Sequence, residues 1–492
     1  MAVAAAHTAT ATGDDPFNSS RSSGLGSGSQ PQSAFNSSRA NNFNDYRANL
    51  NAEYARQIKE YEWRQHNLNQ GVERPRIEDN RNPVVWDNRN DLQDDNRQLS
   101  YGEVVQPIRG QSSKPIAPVT IPDGDANSAA SLQVNFLGSS VGLHAPAARF
   151  RIQGTSPDAL ADAWNQLSQP SYARLVADCL GYKGKLGLCD WAYLVFLETV
   201  ARGAASGDDS AAVMMTYLAS QSGYRVRLAT TAEGRLDMMY ASQHLIFEKS
   251  FIVANGIKFY PYLTTSSRYS LCQSHFSSEA GISLWINSLP KVDMSASADR
   301  QIKSRKYPEF AVTSSVNKNL ITFYSTYPTS CIGDNLVSRW AMYANTPVSD
   351  HMRNTLYPQL RGLIAGLSAK EAVERILNLI QTGLTYEYDD KVWGADRAFF
   401  PEESLYYPYC DCEDRSILLT RIVRDLLGLK CMLVYYPGHL TAAINFPEDI
   451  AGDYIMYSGK RFTVTDPTYI NAPVGRTMPN MDNSTAKIIL LD

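Results

Sequence analysis

The strongest helical periodicity in the chain falls at Ile417, Leu418, Ile422, Val423, Leu426 and Leu427, which predicts a helix from Cys412 to a stop at Gly428. A β-rich run follows at 430–436, Pro437-Gly438 is a turn signal, and residues 439–446 alternate as a second strand that His439 opens. Residues 461–465 form a third strand that delivers Asp466, and Pro467 stops it by removing the next ladder donor. Upstream, Ser368 and Glu371 stand at capping-box spacing before the stripe Ala372, Val373, Ile376, Leu377 and Ile380, a helix expected to pack beside the one that starts at Cys412. Another helical signal covers 348–357, with Ser349 and Asp350 at its cap. Between these helices and Cys412, residues 386–409 read as a long aromatic loop.

The same plan is legible earlier in the chain. Residues 159–167, 172–180 and 189–201 have helical spacing; 208–223 then reads as a helix ending in Gly223, and 224–230 as a β-rich run. His244 opens another run, and Asn255-Gly256 is a hairpin turn between 251–254 and 257–262. Laying Gly223 on Gly428 sets Gly207 on Cys412 and Asp208-Asp209 on Glu413-Asp414, while laying Gly256 on Gly459 sets Leu263 opposite Asp466. The expectation is an internal duplication whose first copy keeps a histidine and lacks a thiol and an acid. Between the copies, 281–286 and 310–326 read as strands with a turn at Asn317-Lys-Asn319.

The N-terminal region has a different texture. Residues 8–41 are rich in Ser, Gly, Asn, Gln and Ala, a composition that buries too little surface to offset ordering entropy. Phe43, Tyr46, Leu50, Tyr54, Ile58, Tyr61 and Leu68 then step along one side of a helix that must cover its apolar stripe, against its own body or against a partner or second copy. Pro, Asn, Asp and Arg stud the following stretch, which reads as an extended linker along the surface. The expected division is 1–41 disordered, 42–70 amphipathic helix, 71–128 linker, 129–275 degenerate domain, 276–345 β-rich bridge and 346–492 catalytic domain.

Candidate chemistry gathers in the last of these. A cysteine at a helix N-terminus sits at the positive end of the macrodipole, which favours the thiolate. Glu413 and Asp414 suit the first helical turn for the same electrostatic reason. His439 at a strand start and Asp466 at a strand end complete a thiol, imidazole and carboxylate in the order that nucleophilic cysteine chemistry uses. Cys410 is the rival nucleophile, further from the helix. For His439 and Asp466 to meet, their strands must be antiparallel neighbours, so the short run 453–457 is expected at the far end or outer edge rather than between them. The residues Leu405-Tyr-Tyr-Pro-Tyr409, Asp411-Cys-Glu-Asp-Arg415, Tyr436-Pro-Gly-His439 and Thr465-Asp-Pro-Thr-Tyr469 resemble the transglutaminase-like superfamily, and most closely a group of uncharacterised bacterial transglutaminase-like proteins. That resemblance implies an α+β, papain-like core with a helix packed on an antiparallel sheet. It also implies a nucleophile at Cys412, a base at His439, an acid at Asp466, and export from the cell. Ala2–Ala6 lacks the basic region and length of an intact signal peptide.

Composition narrows the alternatives. At 492 residues with 43% hydrophobic residues the chain can hold two or three cores, and a net charge of -4 argues against general nucleic-acid binding. No apolar run reaches membrane-span length. Seven irregularly spaced cysteines do not make a disulfide framework, and Cys410, Cys412 and His439 are poorly spaced for zinc, so neither metal nor cofactor is expected. The leading expectation is a cysteine hydrolase of peptide or amide bonds acting through a thioester on a protein or peptide substrate, with Trp393, Tyr406, Tyr407 and Tyr409 as an aromatic cleft wall. A protein-glutamine acyltransferase or deamidase uses the same three groups and stays open. The absence of an Asp-x-Asp-x-Asp-Gly calcium loop tilts the choice toward hydrolysis. A non-catalytic scaffold with an N-terminal partner helix is the third reading.

Overall fold

The computed structural model describes residues 32–61, 63–74, 84–87, 96–110, 113–116, 129–333 and 335–492, with side chains from residue 44 onward. The tract before residue 32 lies outside the described residues. The architecture is mixed α+β and contains two large sheets that share one plan. In the second, strands Lys487–Leu490, Lys430–Tyr436, His439–Asn445, Lys460–Thr465 and Tyr454–Tyr457 lie side by side in that order, every neighbour antiparallel. In the first, Arg268–Leu271, Val226–Thr231, Leu236–Ala241, Ile257–Pro261 and Ile252–Ala254 repeat the order and the directions. Each sheet packs a helix on one face, Cys412–Leu427 in the second and Asp208–Gln221 in the first. Both helices are followed by a glycine in the left-handed region, Gly428 (φ 65°) and Gly223 (φ 88°), where a side chain would be strained.

Tyr454–Tyr457 lies outside Lys460–Thr465, so the strands that carry His439 and Asp466 are direct antiparallel neighbours. The 71–128 segment does more than lie on the surface. Gln98–Leu99 adds to one edge of the second sheet beside Tyr454–Tyr457, and Glu103–Val105 adds to the other beside Lys487–Leu490, both parallel. A chain can span only about 14 Å between Leu99 and Glu103, whereas the outer strands of a flat seven-stranded sheet would stand roughly 29 Å apart. The sheet is therefore curled toward closure, with Leu99, Val434, Tyr436, Ile455, Val464 and Ile488 in its concave interior. The linker covers both edges that would otherwise be open to pairing.

Four expectations need correcting. The N-terminal helix runs Gln32–Glu60, starting inside the polar tract and ending well before residue 70. Docking of its C-terminal half supplies a nucleus from which weak helix formers upstream propagate. Past Glu60 the chain turns, Trp63 Nε1 donates to the Ile58 carbonyl (3.1 Å), and Arg64–Asn67 joins the first sheet as an edge strand. The buried face of the helix is Arg47, Asn51, Tyr54, Ala55 and Ile58, whereas Tyr46 and Tyr61 are exposed. In the third correction, residues 310–326 split into the strand Ala311–Ser314 and the helix Lys318–Thr326, because Asn317 caps the helix by accepting from the Asn319 N–H (3.1 Å). Lastly, the aromatic loop contains two short helices, Asp389–Val392 and Pro401–Tyr406, the latter with proline at its first position.

The N-terminal helix docks on its own body. Tyr54 stacks between Trp164 (4.2 Å) and Phe276 (4.6 Å). Asn51 Oδ1 accepts from Trp164 Nε1 (3.1 Å) and Gln221 Nε2 (2.9 Å), and its amide donates to Gln221 Oε1 (3.1 Å). Asn51→Ala leaves two buried donors short of an acceptor and is expected to cost about 1–3 kcal/mol in urea unfolding. A loss below about 0.5 kcal/mol would mean that this polar seam does not anchor the helix. No helix among the described residues is long and apolar enough to cross a membrane.

Candidate active site

Three elements converge at one end of the second sheet. The helix Cys412–Leu427 begins there with a capping box, in which Asp411 caps the helix and Asp414 Oδ2 accepts from the Asp411 N–H (3.2 Å). One turn in, Ser416 Oγ donates to the Leu440 carbonyl (3.0 Å), beside His439. Arg415 is buried and reaches the other way, from Nη2 to the Leu384 carbonyl (2.7 Å) and from Nη1 to the Pro467 carbonyl (3.4 Å), beside Asp466. The first turn of the helix is thus tied to the start of the histidine strand and to the loop that follows the acid.

His439 Nε2 bonds to Asp466 Oδ2 at 2.9 Å. The other carboxylate oxygen, Oδ1, accepts the backbone N–H groups of Thr468 (2.8 Å) and Tyr469 (3.2 Å). This turn fixes the orientation of the carboxylate. Gln381, buried on the helix Ala369–Gly383, holds the same loop by donating Nε2 to the carbonyls of Asp466 (2.9 Å) and Tyr469 (2.7 Å). His439 Nδ1 is buried and makes no hydrogen bond. Cys412 Sγ donates to Glu413 Oε2 (3.3 Å). The structure thus joins imidazole to carboxylate, and the thiol bonds to Glu413. All three side chains are closed off, Cys412 and His439 at 1% exposure and Asp466 at 2%.

Comparison with protein families, curated proteins and solved structures returns no match.

Cys410 is also buried, on the short strand Tyr409–Cys410, and its Sγ faces the Thr385 carbonyl (3.7 Å). Of the four aromatic residues expected at a cleft wall, Tyr406 and Tyr409 are exposed. Trp393 and Tyr407 meet edge to face (4.8 Å), and the Arg397 guanidinium covers both, 4.4 Å from the Trp393 ring and 5.1 Å from Tyr407. Arg397 also donates to Glu403 Oε1 (2.7 Å).

A buried acidic cluster surrounds the thiol, and hydrophobic periodicity gives no sign of it. Glu413 and Asp414 are fully buried rather than decorating an exposed first turn. Asp389, Asp396 and Glu413 hold carboxylate oxygens within 4.8 Å of one another, as do Asp389, Asp411 and Asp414, and the Asp411 and Glu413 carboxylates do so with Cys412 Sγ. These are the residues that could hold a metal ion. Burial first, then the neighbouring carboxylates, pushes Asp389 up to about 8 and raises Asp411 and Asp414 well above the usual range; burial and Asp396 raise Glu413. The signal was available in the sequence: Asp411-Cys-Glu-Asp carries more acid than a helix dipole needs.

Burial also lifts Glu403 to about 7 against the pull of Arg397. Its native state binds a proton that the unfolded chain releases near 4.5, so stability falls as pH rises from there toward 7. Glu403→Gln is expected to flatten that part of the stability profile in urea unfolding. Parallel wild-type and variant profiles would contradict it.

In the first unit the position after the corresponding hairpin turn is Arg235, whose backbone carbonyl accepts from the Thr231 N–H (2.8 Å). Its guanidinium pairs with Asp209 (3.0 Å) and Asp208 (3.3 Å) at the start of that helix. His244 is not the counterpart of His439. It lies beyond the end of Leu236–Ala241, with Nδ1 against Ser330 Oγ (3.3 Å), and burial lowers it to about 4. An expected start at residue 244 misplaced the strand because Leu236–Ala241 is buried on both faces and shows no alternation.

Proposed function

We propose that the chain is a cysteine-dependent hydrolase of peptide or amide bonds, with a papain-like, transglutaminase-like core repeated in an inactive first unit. The observation that carries this reading is the buried His439–Asp466 hydrogen bond, with the opposite ring nitrogen left without a partner beside the start of the Cys412 helix. In the reaction, Cys412 Sγ turns from Glu413 and gives its proton to His439 Nδ1, and Asp466 stabilises the imidazolium. The thiolate attacks the substrate carbonyl carbon, and the backbone N–H of Cys412 at the helix start is the natural oxyanion donor. Collapse of the tetrahedral intermediate passes the His439 proton to the leaving amine and leaves a thioester. Water, deprotonated by His439, then attacks the thioester, releasing the acid and restoring the thiol.

Substrate reaches the buried sulfur when the segment 386–409 shifts. That segment is held to the helix by the Phe399 N–H donating to Asp414 Oδ1 (2.8 Å), and Tyr406 and Tyr409 are its exposed rings. Incubation with a glutamine-containing peptide library, with and without a primary amine, is read by mass. Hydrolysed products in both arms are expected. Amine incorporation would move the reading to acyl transfer, and unchanged peptides in both arms would overturn it.

A further inference from the structure

The helix that starts at Cys412 ends about 24 Å away, and its far end opens on a cavity of about 560 Å³. Four basic side chains line it: Arg421 and Arg424 from the last turns of the helix, Lys430 from the first position of its strand, and Lys460 from the first position of another. Among the described residues the only acidic one in the lining is Asp492, and Arg109 already pairs with its side chain (2.8 Å). Arg421 pairs with Asp425, outside the lining. Lys430 and Lys460 have no carboxylate partner among the described residues. Arg424 is already engaged: its guanidinium donates to the carbonyls of Thr420 (3.1 Å) and Ala344, to the Asn345 side chain (2.7 Å) and to a main-chain oxygen of Asp492 (2.9 Å). Lys430 and Lys460 stand next to each other, and the Lys430 ammonium holds Lys460 below the ordinary lysine value. Two adjacent ammonium groups lining the cavity, neither bonded to an acid, leave positive charge uncompensated there. Beside the charges, the wall is apolar, with Phe462, Met432, Leu429 and Leu490.

We propose that this cavity binds a small phosphate ester, its phosphate oxygens between Lys430 and Lys460 and its apolar part against Phe462 and Met432. A dianionic phosphate matches the paired lysines, as a single carboxylate would not, and the volume admits a nucleotide-sized body. The proposal rests on no assumption about Cys412.

The test is titration of the full chain with inorganic pyrophosphate and with adenosine diphosphate at fixed ionic strength, followed by calorimetry and thermal unfolding. Saturable binding is expected for both, tighter for the nucleotide. Its dissociation constant should rise at least tenfold in Lys430→Gln/Lys460→Gln and stay unchanged in the exposed control Lys318→Gln. Both replaced lysines are exposed, and relief of their repulsion should leave the unliganded melting temperature equal or higher. Should the double variant fail to fold, Lys460→Gln alone carries the test. Co-sedimentation with phosphatidylglycerol vesicles that the same variant abolishes would place the phosphate on a lipid; binding of the nucleotide without the vesicles places it on a free ester. No saturable binding of either soluble probe or of vesicles, or equal affinity in the variant, overturns the site.

Discussion

Cys412→Ala is expected to lower turnover of a cleavable glutamine peptide by at least about 10³-fold, while Cys410→Ala leaves it within about threefold. The contrast follows from where the two sulfurs lie. Cys412 is the first residue of a helix whose next turn bonds to the strand of His439 and to the loop after Asp466. Cys410 lies on a two-residue strand paired with Thr385–Tyr386, its sulfur against a carbonyl oxygen. His439→Ala should fall with Cys412→Ala, because one proton transfer joins the two residues and their losses do not add. Asp466→Asn is the better probe of the acid, since its side-chain oxygen can still accept from Thr468 and Tyr469 and hold the loop. Equal losses in the two cysteine variants would remove the assignment of the nucleophile.

The second large effect is on stability. Arg339 is fully buried and pairs with Asp396 at 2.9 Å. Asp396 in turn stands within the carboxylate group it forms with Asp389 and Glu413. Arg339→Met removes the nearer of two positive charges on Asp396, the other being Arg74 Nε at 3.9 Å, and leaves a buried acid without its main partner, an expected loss of about 3–5 kcal/mol in urea unfolding. Adding Asp396→Leu should recover part of the loss, because replacing both partners leaves no unpaired charge. A loss under about 1 kcal/mol for the single variant would show that the acidic cluster is balanced by something other than Arg339.

Local signals carried much of the second unit. Ser368 and Glu371 form both halves of the capping box expected of them, and Ser349 caps its helix by accepting from the Met352 N–H (3.3 Å). Pro437-Gly438 closes the hairpin that pairs Tyr436 with His439. Placing 453–457 at the edge needed only the demand that His439 and Asp466 be neighbours. What stayed hidden depends on distant partners. Gln381 reads as one more polar residue on an amphipathic helix until the loop 466–472 folds onto it. Asp389 and Asp396 lie in an aromatic stretch whose rings suggested a cleft wall, while the fold turns their carboxylates toward Glu413. The alignment of His244 failed for a related reason: Leu236–Ala241 lies in the middle of a sheet, so its pattern carries no face to read. Asn317 shows how one cap decides between strand and helix for the apolar residues after it.

The most direct measurement of the central claim is the rate of thiol alkylation at each of the seven cysteines, mapped by mass between pH 5 and 9. All seven are buried with no disulfide among them, and burial raises Cys431 to about 12 and Cys331 to about 11, so indiscriminate labelling of the folded chain is not expected. If Cys412 is activated by His439, it reacts first and at near-neutral pH, and His439→Ala abolishes that preference without unfolding the protein. Labelling of Cys412 no faster than Cys410 or Cys431, or unchanged by His439→Ala, would contradict a thiol–imidazole pair.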